Sequence, residues 1–185
     1  MTRAWLAVIV CGFSGCSAAG TSDRVSCDLH PPGETVENCA VRNPDGSLTV
    51  SSEVLAEAPF GEDGLSAVWI DRELYFVNRT GKTARAFYFD NGPDPVVEGL
   101  ARTIRDGKMG FVNSELTEVV EARWDFAEPF AGGFSRVCVG CAEQREGEHS
   151  VMAGGKWGVI DRSGSVVVPV EYEEGSVPSP PTPGR

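Results

Sequence analysis

From residue 40 onward, the hydrophobic residues of this chain fall into short runs separated by turn-forming residues. Short apolar runs bounded by Gly, Pro, Asn and Asp are typical of β-strands. Residues 52–58 differ, because they suit a short helix that Ser51 or Ser52 would cap and Pro59 would stop. The pattern therefore predicts an all-β fold with little helix.

A turn of the form Asx-x-x-Gly recurs along the chain. Its four copies begin at Asn43, Asn78, Asn113 and Asp161, and only the third lacks its glycine, having Leu116 instead. The first three copies are 35 residues apart. The Asx side chain can accept hydrogen bonds from backbone N–H groups inside such a turn, and glycine adopts the positive φ that it requires. Regular spacing of this kind indicates a repeat protein.

A second recurring segment, which begins at Gly64, Gly99 and Gly133, fixes the phase of the repeat. Each unit then reads as three strands followed by a loop. In the clearest unit the strands are residues 100–105, 108–113 and 117–124, and Asp106-Gly107 suits a two-residue type I′ turn. One such unit cannot bury its apolar face alone. We therefore expect units of about 35 residues in a curved antiparallel repeat domain, either solenoid or barrel-like.

The last unit contains an insertion. The distance from the second recurring segment to the following turn is longer there by about a dozen residues, which places the insertion between Phe134 and Gly155. The inserted residues include Cys138, Cys141 and His149. We expect a strand before Cys138 and an acidic loop after Cys141.

Residues 155–169, with the sequence GKWGVIDRSGSVVVP, resemble the WG-repeat proteins of bacteria. Residues 106–113 and 74–82 are similar but degenerate copies, and the resemblance extends over roughly residues 60–174. It implies a β-rich repeat domain without a common enzymatic activity. It also implies no functional residues that could be carried over to this chain.

Trp157 and its counterpart Met109 each precede a glycine inside a predicted strand. We interpret both as repeat-core residues that pack between units, because aromatic residues in strands usually pack. The glycines that follow, Gly158 and Gly110, indicate either the close approach of a large neighbouring side chain or a bulge.

The first twenty residues form a secretory signal pattern, since Arg3 is their only charge and residues 4–13 are an apolar run. Residues 13–16, with the sequence FSGC, resemble the lipobox of bacterial lipoproteins. This resemblance implies a signal peptide over residues 1–15, lipidation of Cys16 and anchoring to a membrane surface. Ser17, in place of Asp after the cysteine, favours the outer membrane. The alternative is cleavage after Ala19 or Gly20, which would release a soluble periplasmic or secreted protein.

The remainder divides into three segments. Residues 16–38 are polar and read as a flexible tether, and residues 39–174 form the repeat domain. Residues 175–185 are rich in proline and read as a disordered tail.

The charge of the chain limits its partners. It has 27 acidic and 16 basic residues, for a net charge of −11. Such a surface repels phosphate backbones, so we expect no nucleic acid partner. The partners that we expect are a membrane, through a lipid at Cys16, and a protein or envelope polymer. No small-molecule substrate is indicated.

Four further cysteines, Cys27, Cys39, Cys138 and Cys141, favour two disulfides in an oxidising compartment. The nearest pairs in sequence are 27–39 and 138–141, but three connectivities are open. Zinc could use Cys138, Cys141 and His149, although no fourth ligand is evident nearby. The CxxC sequence could also be a redox dithiol, but its acidic surroundings do not favour a thiolate.

No catalytic motif is present, and the two histidines, His30 and His149, lie in polar stretches. We therefore expect no enzymatic activity, no cofactor and no metal. The sequence favours an exported, lipid-anchored module that binds or scaffolds a protein or envelope component. The alternative is a thiol-redox or metal-binding accessory protein that uses Cys138 and Cys141.

Overall fold

The computed structural model describes residues 23–29, 35–89, 92–146 and 149–181. The structure is nearly all antiparallel β, with 62% strand and 6% helix, and this confirms the predicted fold class. The predicted signal peptide, Cys16 and His30 lie outside the described residues, as do the last four residues of the predicted tail. Within the described ranges, none of the helices is long and apolar enough to cross a bilayer.

The described residues form four units, each made of a β-hairpin, an Asx turn and a third strand. The first unit comprises β1 (Asp23–Leu29), β2 (Thr35–Arg42) and β3 (Leu48–Val50), and α1 (Ser52–Glu57) follows it. The second comprises β4 (Leu65–Ile70), β5 (Glu73–Asn78) and β6 (Thr83–Arg85), followed by the short strands β7 (Tyr88–Phe89) and β8 (Gly92–Pro93).

The third and fourth units complete the domain. The third comprises β9 (Ala101–Arg105), β10 (Lys108–Val112) and β11 (Glu118–Trp124), and β12 (Phe126–Ala127) follows it. The fourth comprises β13 (Phe134–Glu146), β14 (His149–Asp161) and β15 (Val166–Tyr172), followed by a 3-10 helix (Glu174–Ser176).

The prediction of a flexible tether over residues 16–38 was wrong for the part that is described. This part supplies β1 and the start of β2, which complete the first unit. β1 pairs with β2 on one side and with β4 on the other. The polar sequence concealed these strands because the few inward positions, Cys27 and Cys39 among them, are each 1% exposed while most of their neighbours face solvent.

The first two units share one six-stranded sheet in the order β3-β2-β1-β4-β5-β6. Its two edge strands meet, since Thr49 forms a bridge to Lys82 and the Val50 N–H donates to the Gly81 carbonyl at 2.8 Å. The sheet is therefore nearly closed and barrel-like. Its apolar interior includes Val68, and Val54 of α1 packs against it.

The helix prediction is confirmed within one residue, because α1 ends at Glu57, shortly before Pro59. Ser51 occupies the N-cap position as expected. Its side chain forms no capping hydrogen bond, however, so only the location of the cap was predicted correctly.

All four Asx turns have the same backbone hydrogen bonds. In each, the glycine N–H (or that of Leu116) donates to the carbonyl of the Asx residue at 2.9 Å. The side chains of Asn78 and Asp161 accept further backbone N–H bonds within the turn. Leu116 adopts φ 54° in place of glycine, and its side chain is buried at 4% exposure. Core packing of this leucine offsets the cost of the left-handed backbone.

The domain continues beyond its predicted end at residue 174. The 3-10 helix follows β15, and Val177 packs against the core of the fourth unit. Residues 178–181 have no regular structure.

Candidate functional site

The fourth unit departs from the others in the length of its hairpin. β13 and β14 each have 13 residues, whereas β9 and β10 each have five. The two long strands pair from Phe134 with Asp161 to Glu146 with His149. The insertion therefore lies where the sequence predicted it, but the prediction of an acidic loop after Cys141 was wrong. Its residues extend the hairpin as strands.

A disulfide joins Cys138 to Cys141 at the base of this extension, and another joins Cys27 to Cys39. The prediction of two disulfides is confirmed, with the nearest cysteines in sequence paired. Cys138 is fully buried and Cys141 is 8% exposed, among Trp157, Phe126 and Met152. Cys138 and Cys141, two of the ligands considered for zinc, are instead bonded to each other, and the described residues contain no group of three His, Cys, Asp or Glu side chains placed to hold a metal.

Asp125 braces the same base from the preceding unit. Its carboxylate accepts a hydrogen bond from the Gly140 N–H at 2.7 Å and pairs with the Lys108 ammonium. The Lys108 hydrogen bond and then the Gly140 N–H hold the pKa of the Asp125 carboxyl below its ordinary value. Gly155, opposite Gly140, has φ +67°, and a Cβ there would lie 2.6 Å from the Gly140 carbonyl carbon. The base of the hairpin is thus tightly packed.

Trp157 lies in the core, with 1% of its surface exposed. Its indole N–H donates to the Gly154 carbonyl at 2.9 Å, and its ring meets Phe126 edge-on at 6.2 Å. The Arg136 guanidinium lies 5.2 Å from the ring centroid. Met109 is 6% exposed and faces Trp124 across the strands. These surroundings agree with the proposed packing role and leave no surface of Trp157 for a ligand.

Gly158 and Gly110 lie under a bulge of the neighbouring strand. In the fourth unit Trp157 pairs with Tyr172 and Val159 with Val168, so three residues of β15 lie opposite Gly158 alone. The register shift opposite Gly110 is similar. The second unit has Tyr75 at this position, and its β5–β6 ladder is regular. Of the two alternatives raised by the sequence, the structure thus has the bulge, with backbone rather than a side chain over each glycine.

We expect Gly158→Ala to lower the free energy of unfolding by ~2–3 kcal/mol, through the overpacking that the added methyl group causes. A Cβ at Gly158 would lie 2.6 Å from the Val168 carbonyl oxygen and 2.8 Å from the Val170 Cα. Urea denaturation followed by circular dichroism measures the loss. Gly175→Ala is the matched control, because no atom lies within 4 Å of its added Cβ. Equal stability of the two variants would contradict the bulge.

The structure also contains a repeated Arg–carboxylate pair that the sequence analysis missed. Arg102 binds Asp94, eight residues earlier, with Nε 2.7 Å from Oδ2, and Arg136 binds Glu128, also eight residues earlier, at 3.2 Å. Each arginine stands three residues after the glycine of the second recurring segment. That constant position was the signal that could have revealed the pair.

A cleft of about 340 Å³ adjoins the second unit, where this pair is missing. Ala67 occupies the position of the arginine and Pro59, eight residues earlier, that of the carboxylate; both line the cleft. Asp94 also lines it, but its carboxylate is bound to Arg102. The cleft is therefore present because alanine and proline stand where the later units have the larger arginine and carboxylate side chains.

The outer part of the long hairpin extends beyond the rest of the sheet. β12 pairs with β13 only as far as Cys138. From Ala142 to Arg145 every side chain is exposed, and this stretch has no neighbouring strand except β14 among the described residues. The residues of the predicted redox or metal site thus brace the base of a projecting β-ribbon. His149 is the first residue of β14 and lies near the tip of the ribbon.

Comparison with protein families agrees with the repeat that the strands define. The family model described as "WG containing repeat" matches residues 109–140 and 157–177. The two matches begin at Met109 and at Trp157, the equivalent positions of the third and fourth units. No curated protein and no solved structure matches the chain.

Proposed function

Since this chain contains WG repeats, we propose that it is an exported, lipid-anchored, non-enzymatic module that binds a protein partner. The binding element is the outer part of the long hairpin, residues 142–153. The repeats provide a rigid body, and the disulfide and Asp125 fix the direction of the hairpin relative to that body.

The projecting ribbon is the single observation that carries this proposal. A two-stranded ribbon that buries few side chains is marginally stable by itself, and free strand edges offer N–H and C=O groups to another chain. β-Strand addition is a common mode of protein recognition for this reason. The repeat needs no such extension, because the hairpin of the third unit is closed by a two-residue turn at Asp106 and Gly107.

Thiol redox chemistry at Cys138 and Cys141 is less well supported. A reductant has to reach a sulfur atom, and these residues are 0% and 8% exposed. Their packing against Trp157 instead supports a bracing role.

The anchor in this proposal holds the domain close to the membrane. β1 begins at Asp23, seven residues after Cys16, instead of after a long tether. Seven residues span at most about 25 Å. A lipid on Cys16 would therefore keep the first unit within that distance of the bilayer surface.

We expect mass spectrometry of the mature protein to find Cys16 as the first residue, carrying lipid. The lipobox-like residues 13–16 support this prediction. An unmodified N-terminus at residue 20 or 21 would refute the anchor and favour a soluble exported protein.

We expect the full mature chain to capture a specific protein from envelope fractions, and a variant with a shortened hairpin to lose it. In the shortened variant an Asn-Gly turn replaces residues 142–153, and it connects Cys141 to Gly154, which face each other across the strands. Quantitative mass spectrometry of the captured proteins compares the two chains. Val166→Thr, which changes an exposed residue on β15, is the control.

Equal capture by the intact and shortened chains would show that the hairpin is not the binding element. Capture of cell-wall polymer with no enriched protein would instead favour an envelope-polymer partner. Turnover of a substrate by the purified chain would refute the non-enzymatic role.

A further inference from the structure

We propose that the partner of the long hairpin is a second copy of this chain. The two copies join through the outer edges of their β13 strands, residues 142–146, about a two-fold axis at Gln144. This inference rests on the proposed binding role of the hairpin and identifies its partner.

The pairing at the tip of the hairpin establishes which backbone groups of outer β13 point away from β14. Glu146 pairs with His149 across only two residues, so its N–H and C=O groups face β14, and alternation along the strand turns those of Gln144 and Ala142 the same way. At the base the Arg136 and Cys138 carbonyls point outward instead, where they accept hydrogen bonds from the Glu128 and Asp125 N–H groups. The alternation shifts at Gly140, which has φ 79° and does not pair with Gly155. The free N–H and C=O groups of the outer edge therefore belong to positions 143 and 145.

This alternation limits how two copies of the edge can pair. In a symmetric antiparallel pair, the outward positions of one copy have to face outward positions of the other. An axis at Gln144 satisfies this condition, with 143 of each copy opposite 145 of the other. Axes at residues 142, 143 and 145 also satisfy it. The identity of the side chains decides among these four registers.

Only the axis at Gln144 places unlike charges opposite each other. It sets Glu143 of each copy against Arg145 of the other, whereas axes at 143 or 145 set like charges directly opposite. An axis at 142 brings the second copy against Gly140, whose N–H is already bound to Asp125. Directly opposed unlike charges stabilise an antiparallel pair and like charges destabilise it.

The charged side chains are available for this contact. Glu143 and Arg145 are exposed and lie on one face of β13, and within the described residues neither forms an ion pair. They would meet as hydrogen-bonded pairs, in which opposed Cα atoms are about 5.5 Å apart. Mixed charges on the edge thus permit one register and discourage others.

The resulting contact is small. Five residues on each copy bury less than the roughly 1,200 Å² of a stable complex, so the dimer is weak unless the copies are concentrated. The lipid anchor of the proposed function supplies that concentration at a membrane surface. The net charge of −11 opposes association, but physiological salt screens charges beyond about 8 Å.

The test is a disulfide across the axis in the full chain, expressed in its own membrane. In the dimer, Gln144→Cys forms a non-hydrogen-bonded pair whose Cα atoms are about 4.5 Å apart, within the range that a disulfide spans. We expect a covalent dimer on a non-reducing gel after mild oxidation. Ala142→Cys is the matched control, because its two copies would lie about 13 Å apart at the usual rise per residue.

Charge reversal tests the register. Adding Glu143→Arg to Gln144→Cys should lower the yield of covalent dimer by about tenfold, because both unlike pairs become like pairs. Adding Arg145→Glu as well should restore the yield, since the charges are then exchanged. Circular dichroism of each variant checks that the chain is folded.

Several results would overturn the self-pairing. Equal dimer yields from Gln144→Cys and Ala142→Cys would indicate random collision, and no dimer from Gln144→Cys would exclude the axis. If no dimer forms but the shortened hairpin still loses a captured envelope protein, the hairpin binds a different partner and the proposed function survives. If no dimer forms and the shortened chain captures the same proteins as the intact chain, both proposals fail.

Discussion

Trp157→Ala is expected to lower the free energy of unfolding by ~3–5 kcal/mol, the usual cost of truncating a fully packed aromatic side chain. The ring is 1% exposed and contacts the Cys138–Cys141 disulfide and Phe126. Its N–H bond to the Gly154 carbonyl is lost as well. The loss combines a cavity with a disturbed hairpin base, so it should be among the largest for any single substitution.

Chemical denaturation of the purified domain measures this loss. It is followed by far-ultraviolet circular dichroism, because tryptophan fluorescence would itself change with the substitution. Trp157→Phe is the matched control, because it retains most of the buried area and removes only the indole N–H and part of the volume. It should cost less than half as much as Trp157→Ala. A loss below ~1 kcal/mol for Trp157→Ala would mean that the ring is exposed in solution.

The repeat could be predicted because its turns depend on local chemistry. An Asx side chain and a glycine at a fixed spacing specify the same hydrogen bonds wherever they occur, as the turns at Asn78 and Asp161 illustrate. Asp106 and Gly107 likewise have φ values of 51° and 73°, as the predicted type I′ turn requires. The predicted third unit therefore agrees with the observed strands to within a residue at each end.

Features that depend on distant partners could not be predicted in the same way. β1 has few apolar residues, and it forms a strand because β2 and β4 pair with it and a disulfide joins Cys27 to Cys39. The Asn43 turn could have revealed it, since every other turn of this type follows a complete hairpin. The bulge over Gly158 also depends on a strand beyond the motif, and the glycine alone left two explanations open.

The Arg102–Asp94 pair should be the second large contributor to stability. Side-chain exposure is 4% for Arg102 and 2% for Asp94, and the guanidinium also donates to the Ala127 carbonyl at 2.8 Å and lies 4.6 Å from the Phe87 ring centroid. These contacts connect the loop after the second unit with β9 of the third unit and with β12, which precedes the fourth unit. Asp94→Ala leaves a buried guanidinium without its carboxylate, which typically costs ~3–5 kcal/mol.

The fourth unit supplies the matched control, because Glu128→Ala removes the equivalent carboxylate from a pair that is partly exposed to solvent. The Arg136 and Glu128 side chains are 34% and 37% exposed, so water replaces the lost partner and the cost should stay below ~1 kcal/mol. Burial, together with the second hydrogen bond between Arg102 and Asp94, should thus make the same repeated pair differ in energy. Asp94→Ala and Glu128→Ala are compared by urea denaturation under identical conditions. Equal losses would mean that the Arg102 site admits water, and the pair would then not connect the units as the structure indicates.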